Sequence, residues 1–141
     1  MSLVYWDTMV FIYLLQEHPV HFGTVERIRS QMEARGDQLC TSLFTVGEIL
    51  VEPYRAQRTD MIAAIQAAFA DPEIQLLQFS PEAMDRYARI RAENRVSPAD
   101  AIHLACAATA GVDLLITNDE RLHKLVIPGI RFITGLELKL M

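Results

Sequence analysis

Short apolar runs alternate along the chain with longer segments in which apolar residues recur at helical spacing. The runs are continuous rather than alternately apolar and polar, which is typical of parallel strands that are covered on both faces. Strands are predicted at residues 3–6, 38–41, 74–79, 112–117 and 130–133. Because helical segments separate these strands, the pattern predicts an α/β fold, a three-layer α/β/α sandwich around a short, mainly parallel sheet.

Capping residues and prolines mark the boundaries of the helices. Ser80-Pro81 and Ser97-Pro98 each place a capping side chain before a proline at the first helical position. Gly111 follows a predicted helix at the place where a left-handed residue commonly ends one. Helices are predicted over residues 8–16, 21–35, 43–54, 59–70 and 98–110, with another beginning at residue 81 and a short one at 120–125.

The length of 141 residues fits one domain, which we predict to span residues 1–141. The two cysteines, Cys40 and Cys106, are far apart in sequence, which favours a reduced, cytoplasmic chain over a disulfide framework. No apolar run approaches the ~20 residues that a membrane span needs. No basic segment precedes an apolar stretch at the amino terminus, so no signal peptide is expected either.

The charge balance limits how the chain can bind nucleic acid. Lys and Arg together number 13 and Asp and Glu 18, which gives a formal net charge of −5. Domains that hold nucleic acid through bulk charge usually carry a basic stripe. The sum therefore argues against a strong electrostatic grip, unless several acids are gathered in one site where a cation offsets them.

Several common catalytic motifs are missing from the sequence. The glycines form no phosphate-binding loop, and there is no Gly-x-Ser-x-Gly segment for acyl transfer. The histidines and cysteines do not pair at zinc-finger spacing. These absences argue against nucleotide-binding loops, esterase-type catalysis and a structural zinc site.

Four acidic residues occupy positions that an open α/β sheet brings to one edge. Asp7, Asp100 and Asp119 lie at the starts of predicted helices, and Glu48 lies one or two turns inside another. Right-handed crossovers place the strand carboxyl ends and the helix amino ends along the same edge, where such sheets bind ligands. Each acid also has a local explanation, as a helix cap or as one half of a capping box. Their joint placement favours one acidic site.

Two local features support a site over capping alone. Asp100 opens the most apolar helix of the chain, where an ionised carboxylate is costly unless it is paired or bound to a metal. Gly47 precedes Glu48 inside a helix, a placement that costs about 1 kcal/mol relative to alanine. Such a glycine predicts that another backbone group approaches closely at this point.

The acids together predict a particular chemistry. Crowded carboxylates raise one another's pKa unless a cation compensates their charge. Oxygen ligands without histidine or cysteine favour Mg²⁺ or Mn²⁺ over zinc. Such a cation binds phosphate oxygens and activates water for attack. We therefore expect metal-dependent hydrolysis of a phosphodiester.

Four segments around these acids carry a family resemblance. They are Val4-Tyr5-Trp6-Asp7-Thr8, Thr45-Val46-Gly47-Glu48-Ile49, Pro98-Ala99-Asp100-Ala101-Ile102-His103-Leu104-Ala105 and Leu115-Ile116-Thr117-Asn118-Asp119. In this order, and over nearly the whole chain, they resemble the PIN-domain nucleases, most closely the VapC-like toxins of prokaryotic toxin–antitoxin pairs. The resemblance implies an α/β/α sandwich and a Mg²⁺- or Mn²⁺-dependent endoribonuclease that cleaves RNA. It also implies a homodimer that a cognate antitoxin inhibits.

The resemblance also implies roles for individual residues. Asp7 and Asp100 would be the principal metal ligands of a catalytic acidic quartet. Glu48 and Asp119 would complete it, directly or through waters, and one of them would orient the attacking water. The polar residues implied to hold carboxylates or water beside the quartet are Thr8, Thr117 and Asn118. Met9 departs from the pattern, because relatives often have a small polar residue there.

Three further residues are candidates outside the quartet. Arg91 and Arg95 are close to Asp100 in sequence and are the residues we expect to contact RNA, since arginine suits phosphate. The basic residues form no continuous track along the predicted helix that carries them. His103 shares a helical face with Asp100, and we expect it in the core or behind a carboxylate rather than as a general base.

Two other functions fit a doubly wound α/β fold. A haloacid-dehalogenase-like phosphatase needs an Asp-x-Asp motif, but residue 9 is Met. A receiver-like signalling module, or a non-catalytic binding module, remains the alternative. Receivers need an acidic pair and a lysine at the end of a late strand, whereas Lys124 falls within the predicted short helix.

Overall fold

The computed structural model describes residues 1–138 and contains a five-stranded sheet in which all neighbouring strands run parallel. The strands are β1 (Leu3–Trp6), β2 (Gln38–Ser42), β3 (Ile74–Leu77), β4 (Leu114–Ile116) and β5 (Phe132–Thr134). Their order across the sheet is β3-β2-β1-β4-β5. The chain therefore winds outward from β1 in one direction and then in the other. Ligand sites of open α/β sheets lie at such a switch point, here beyond the carboxyl ends of β1 and β4.

The helices begin and end at the residues that mark such boundaries in the sequence. They are α1 (Thr8–Leu15), α2 (Phe22–Arg35), α3 (Leu43–Arg55), α4 (Thr59–Phe69), α5 (Pro81–Glu93), α6 (Pro98–Ala110) and a short 3₁₀ helix (Glu120–Leu122). The hydroxyls of Ser80 and Ser97 cap α5 and α6, and Gly111 ends α6 with a left-handed φ of 69°. Among residues 1–138, no helix is both long enough and apolar enough to cross a membrane.

The two faces of the sheet carry separate apolar cores. Tyr5, in the middle of β1, belongs to the core under α5 and α6. Its neighbours Val4 and Trp6 belong to the opposite core, under α1, α2, α3 and α4. Successive side chains of a strand point to opposite faces, so the central strand contributes to both cores. This arrangement confirms the predicted three-layer α/β/α sandwich.

The predicted strand ends are wrong where pairing, rather than composition, decides them. β3 ends at Leu77 instead of residue 79, because its partner β2 ends at Ser42, the residue paired with Leu77. β4 covers only residues 114–116 of the predicted 112–117, the part that pairs with both β1 and β5. β5 begins at Phe132, two residues later than predicted, because Phe132 is the residue that pairs with Leu114 at the start of β4.

Candidate active site

An acidic cleft of about 340 Å³ opens beyond the carboxyl ends of β1 and β4. It contains all four predicted acids, Asp7, Glu48, Asp100 and Asp119. The other residues that line it are Thr8, Met9, Tyr13, Ala99, His103, Thr117 and Asn118. Residues up to 112 positions apart thus meet at the switch point of the sheet. The roles of these acids stay predictions, but their proximity is a property of the fold.

Asp7 is held from two sides at the start of α1. One carboxylate oxygen, Oδ1, accepts the backbone N–H of Thr8 at 2.6 Å, so the residue caps the helix. The other, Oδ2, accepts the hydroxyl of Thr117 at 2.7 Å. Thr117 is fully buried and its hydroxyl also accepts the backbone N–H of Asp119 at 3.2 Å. The capping and site interpretations of Asp7 are therefore compatible.

Glu48 reaches the cleft from the second turn of α3. Its Oε1 accepts the hydroxyl of Thr8 at 2.5 Å and the Nε2–H of His103 at 2.7 Å. Burial alone would raise the pKa of Glu48, but the hydrogen bonds from His103 and Thr8 outweigh it and the pKa lies below its ordinary value. Glu48 is therefore a fixed, ionised carboxylate at neutral pH.

Asp100 lies in the first turn of α6, where the hydroxyl of Ser97 accepts its backbone N–H at 3.1 Å. Burial raises the pKa of this carboxyl. The hydrogen bond with Ser97 lowers it in part, but the negative charges of Asp119 and Asp7 raise it further. Within residues 1–138, no Lys or Arg forms an ion pair with Asp100. The charge of Arg121 acts on Asp100 without forming an ion pair with it. Asp100 thus brings negative charge to the cleft that no ion pair within the described residues neutralises.

Asp119 is turned toward a solvent-exposed arginine. Its two carboxylate oxygens accept Nε and Nη2 of Arg121 at 2.9 and 2.6 Å. These bonds are the main cause of the lowered pKa of Asp119. Its side chain also caps the short 3₁₀ helix through the backbone N–H of Arg121.

The carboxylate oxygens of this cleft are suitable ligands for a divalent cation, but their side chains are not arranged around a common point. Four carboxylates line the cleft, and oxygen donors of this kind suit Mg²⁺ and Mn²⁺. Among the described residues, however, no three acidic, histidine or cysteine side chains are gathered around one point where an ion fits. Arg121 holds Asp119 away, and His103 engages Glu48. Binding a cation therefore requires side chains to rotate toward it.

The three polar residues predicted to support the acids all line the cleft. Thr8 and Thr117 donate their hydroxyls to Glu48 and Asp7. Asn118 instead donates its amide to the Tyr13 hydroxyl at 3.2 Å. Met9 also lines the cleft and is 44% exposed, so no polar group stands at that position.

Arg91 and Arg95 do not line the cleft. Arg91 lies in the last turn of α5, where its guanidinium donates to the Tyr87 hydroxyl at 3.3 Å. Arg95 follows α5 and is exposed to solvent. RNA contact by these two arginines therefore stays a prediction about the surface around the cleft.

Ser42 caps α3, which begins at Leu43, so Glu48 is not half of a capping box with Thr45. The argument from Gly47 is wrong. A Cβ added there would meet no described atom within 4 Å apart from its chain neighbours and the backbone of α3 itself, so no other segment approaches closely. Gly47 lies on the exposed side of α3, opposite to the surface that packs in the protein.

The sequence did not reveal the buried partners of His103. Its Nδ1 lies 2.7 Å from the hydroxyl of Tyr5, and that hydroxyl lies 3.0 Å from the hydroxyl of Ser42. The helical spacing from Asp100 places His103 beside the cleft, but nothing in the apolar run around Tyr5 indicates a hydrogen-bonding role. The contact joins residues 98 positions apart and is visible only in the folded chain.

Comparison with known protein families identifies a match over most of the chain. The family model that describes the PIN domain matches residues 4–127. A comparison with curated protein sequences found no match.

Solved structures with the same fold include three toxin–antitoxin proteins. VapBC2 from Rickettsia felis, bound to a DNA fragment from its promoter, is 14% identical with a TM-score of 0.76, over 94% of this chain and 98% of that one. DNA-bound VapBC from Salmonella typhimurium is 24% identical with a TM-score of 0.68, over 96% and 99%. Mycobacterium tuberculosis VapC20, described as a Sarcin-Ricin loop cleaving toxin, is 16% identical with a TM-score of 0.67, over 87% and 96%. At these identities the likeness demonstrates a shared fold.

Proposed function

The chain belongs to the PIN domain family, and from this premise we propose that it is a metal-dependent endoribonuclease of the toxin type. It would hydrolyse RNA phosphodiester bonds. The observation that carries the proposal is the convergence of Asp7, Glu48, Asp100 and Asp119 on one cleft at the switch point of the sheet. The uncompensated charge around Asp100 supports it, since such charge favours a bound cation.

The acidic quartet would hold Mg²⁺ or Mn²⁺, with Asp7 and Asp100 as the principal ligands. When bound, the cation supplies positive charge for the oxygens of the scissile phosphate and for the leaving oxygen. Glu48 is ionised and held by two hydrogen bonds on one oxygen, which suits it to orient an attacking water. Thr117 keeps Asp7 facing the cleft, and Thr8 keeps Glu48 there.

The charge distribution supports an RNA substrate that is bound weakly without metal. The formal net charge is −5, and four of the acids lie in the cleft. With a cation in place, the repulsion between this cleft and a phosphate backbone falls sharply, whereas without one it persists. RNA binding and cleavage should therefore both depend on the cation.

A cognate antitoxin and a second copy of this chain are the proposed protein partners. The structures from Rickettsia felis and Salmonella typhimurium are VapBC complexes, which supports an antitoxin partner for a chain of the same fold. The homodimer rests on the family resemblance alone. Light scattering of the isolated chain tests the homodimer, and light scattering of the chain mixed with a candidate antitoxin tests the second assembly.

The decisive experiment compares RNA cleavage by the parent and by Asp100→Asn in Mg²⁺ or Mn²⁺. We expect cleavage by the parent, loss of cleavage in EDTA, and loss of cleavage in the variant. Asp85→Asn is the matched control, because Asp85 is an exposed acid on α5 that pairs with Arg89 away from the cleft. Equal cleavage by parent and Asp100→Asn, or cleavage that persists in EDTA, would contradict the mechanism.

A further inference from the structure

The imidazole of His103 is buried at the floor of the cleft and has a partner at each nitrogen. Only 5% of the residue is exposed. Its Nε2 lies 2.7 Å from Glu48 Oε1, and its Nδ1 lies 2.7 Å from the Tyr5 hydroxyl. Since an ionised carboxylate can only accept, the proton of this hydrogen bond belongs to Nε2. The ring thus links the cleft to the centre of the sheet.

Two aromatic rings prevent the imidazole from turning. The Tyr5 ring meets it edge to face with centroids 5.9 Å apart, and the Phe44 ring does the same at 5.3 Å. A flip of the ring would exchange its two nitrogens and break both hydrogen bonds. The packing therefore keeps Nε2 directed at Glu48.

The Tyr5 hydroxyl connects this ring to the beginning of α3, the helix that carries Glu48. Tyr5 is fully buried and its hydroxyl lies within hydrogen-bond distance of that of Ser42, which caps α3 by accepting the N–H of Thr45. The contacts therefore form a closed path from the start of α3, through Tyr5 and His103, back to Glu48 on the same helix. Such a path fixes the position of the carboxylate relative to its own helix.

Glu48 needs a restraint of this kind. Its side chain is 30% exposed, and its other side-chain partner is the Thr8 hydroxyl. A glutamate with one partner at the mouth of an open cleft has rotamers that point to solvent. We propose that His103, braced by Tyr5, is a positioning residue that holds Glu48 in its working orientation. The proposal rests on the proposed nuclease function.

The test compares His103→Leu, which removes the donor, with His103→Gln, which keeps an N–H near the place of Nε2. Groups that orient a metal ligand typically change activity or metal affinity by about 10–100-fold when they are removed. For His103→Leu we expect kcat on RNA to fall within that range with KM little changed, and Mn²⁺ affinity measured by calorimetry to fall as well. His103→Gln should recover most of both.

Tyr5→Phe tests the brace separately, because it removes only the hydroxyl. We expect a smaller loss of kcat than in His103→Leu. The double variant should be no worse than His103→Leu alone, because Tyr5 acts through the ring and effects within one network do not add. Tyr54→Phe is the matched control, since Tyr54 is 58% exposed on α3 and lies outside the cleft.

Three results would overturn the proposal. They are an unchanged kcat in His103→Leu, equal losses in His103→Leu and His103→Gln, and additive losses in the double variant. If His103→Leu proves too unstable to assay, the kcat of Tyr5→Phe and the Mn²⁺ affinity of His103→Gln test the proposal instead. An unchanged kcat in Tyr5→Phe together with a lost Mn²⁺ affinity in His103→Gln would overturn it. A readout independent of nuclease activity is the low-field proton resonance of His103 Nε2–H, which should persist in Asp100→Asn and disappear in Glu48→Ala. Parent protein that cleaves no RNA but shows this resonance would refute the proposed function and leave the positioning of Glu48 standing.

Discussion

The two halves of the acidic cleft are organised in different ways. Asp7 and Glu48 are held by buried groups from distant parts of the chain, Thr117 and His103 among them. Asp100 and Asp119 have only local partners, a serine cap and an exposed arginine. The pKa of Glu48 is lowered, whereas that of Asp100 is raised. Folding alone thus arranges the first half, and the second half is where the proposed cation would supply the missing partner.

The largest predicted difference between the halves is catalytic. Glu48→Gln should lower kcat on RNA by about 10²-fold, the scale expected when an attacking water is no longer held in position. Asp119→Asn should cost only about 10-fold, the scale of a supporting ligand. Single-turnover cleavage with Mn²⁺ at saturating RNA measures both. Equal losses would mean that Asp119 contributes to catalysis as much as Glu48 and is not a supporting ligand.

Binding of Mn²⁺ should stabilise the protein, because the proposed ligands Asp7 and Asp100 bring one acid from each half of the cleft to the same ion. A ligand at about 100 times its Kd adds about 2.7 kcal/mol to the free energy of unfolding. For a domain of this size that raises Tm by roughly 5–10 °C. Differential scanning calorimetry with and without Mn²⁺ checks this, and the protein in EDTA gives the metal-free Tm for comparison. Asp100→Asn should abolish most of the shift, and Asp85→Asn should keep it.

The two halves should also respond to pH with opposite signs. Ionised Glu48 stabilises the fold above its ordinary pKa of 4.5, and this contribution is lost as the pH falls through the lower folded-state value. Ionised Asp100 destabilises the fold at pH 7, and this penalty disappears as the pH falls from the raised folded-state pKa to below the ordinary value of 3.8. In EDTA, Glu48→Gln should therefore be less stable than the parent at pH 7, and Asp100→Asn more stable.

Urea unfolding at pH values from 7 down to 3 measures both differences. Each should shrink on acidification, because the parent then becomes protonated at the same site. A destabilised Asp100→Asn at pH 7 would show that Asp100 is compensated within the protein. That outcome would remove the main reason to regard this half as incomplete.

The contrast between the halves also explains how far the sequence could predict the site. Asp7 and Asp100 were predictable because each stands at a helix start, a position that the order of strands and helices brings to one edge of the sheet. The pairing of His103 with Tyr5 was not, because it depends on which face of β1 a side chain occupies and on how α6 packs against it. Local patterns identify the acids, whereas only the folded chain reveals what holds them.

Gly47 illustrates a prediction that failed for a related reason. The cost of glycine in a helix suggested a close backbone contact, but no described atom of another segment lies within 4 Å of where its Cβ would be. Whether another segment approaches a helical glycine depends on which side of the helix faces the core. The segment from Thr45 to Ile49 does not by itself specify that side. The strand ends were misjudged similarly, because the partner strand determines them.

The smallest predicted effect concerns Arg121, which holds Asp119 outside the position of a metal ligand. The arginine side chain is 83% exposed, so solvent screens the ion pair and it contributes little to stability. Arg121→Gln should therefore change Tm little. Because Asp119 no longer has to leave this partner, Mn²⁺ affinity in the absence of RNA should rise slightly.

Calorimetric titration of the free protein measures this affinity, and Arg89→Gln serves as the control because Arg89 pairs with Asp85 on α5. A weaker affinity in Arg121→Gln would mean that the arginine orients Asp119 for the cation instead of competing with it. Asp119 would then belong with Asp7 and Glu48, among the acids that the protein arranges in advance. An increase in Mn²⁺ affinity would mean that Asp119, like Asp100, is not arranged in advance by the protein. The ion pair between Asp119 and Arg121 would then be a contact that cation binding replaces.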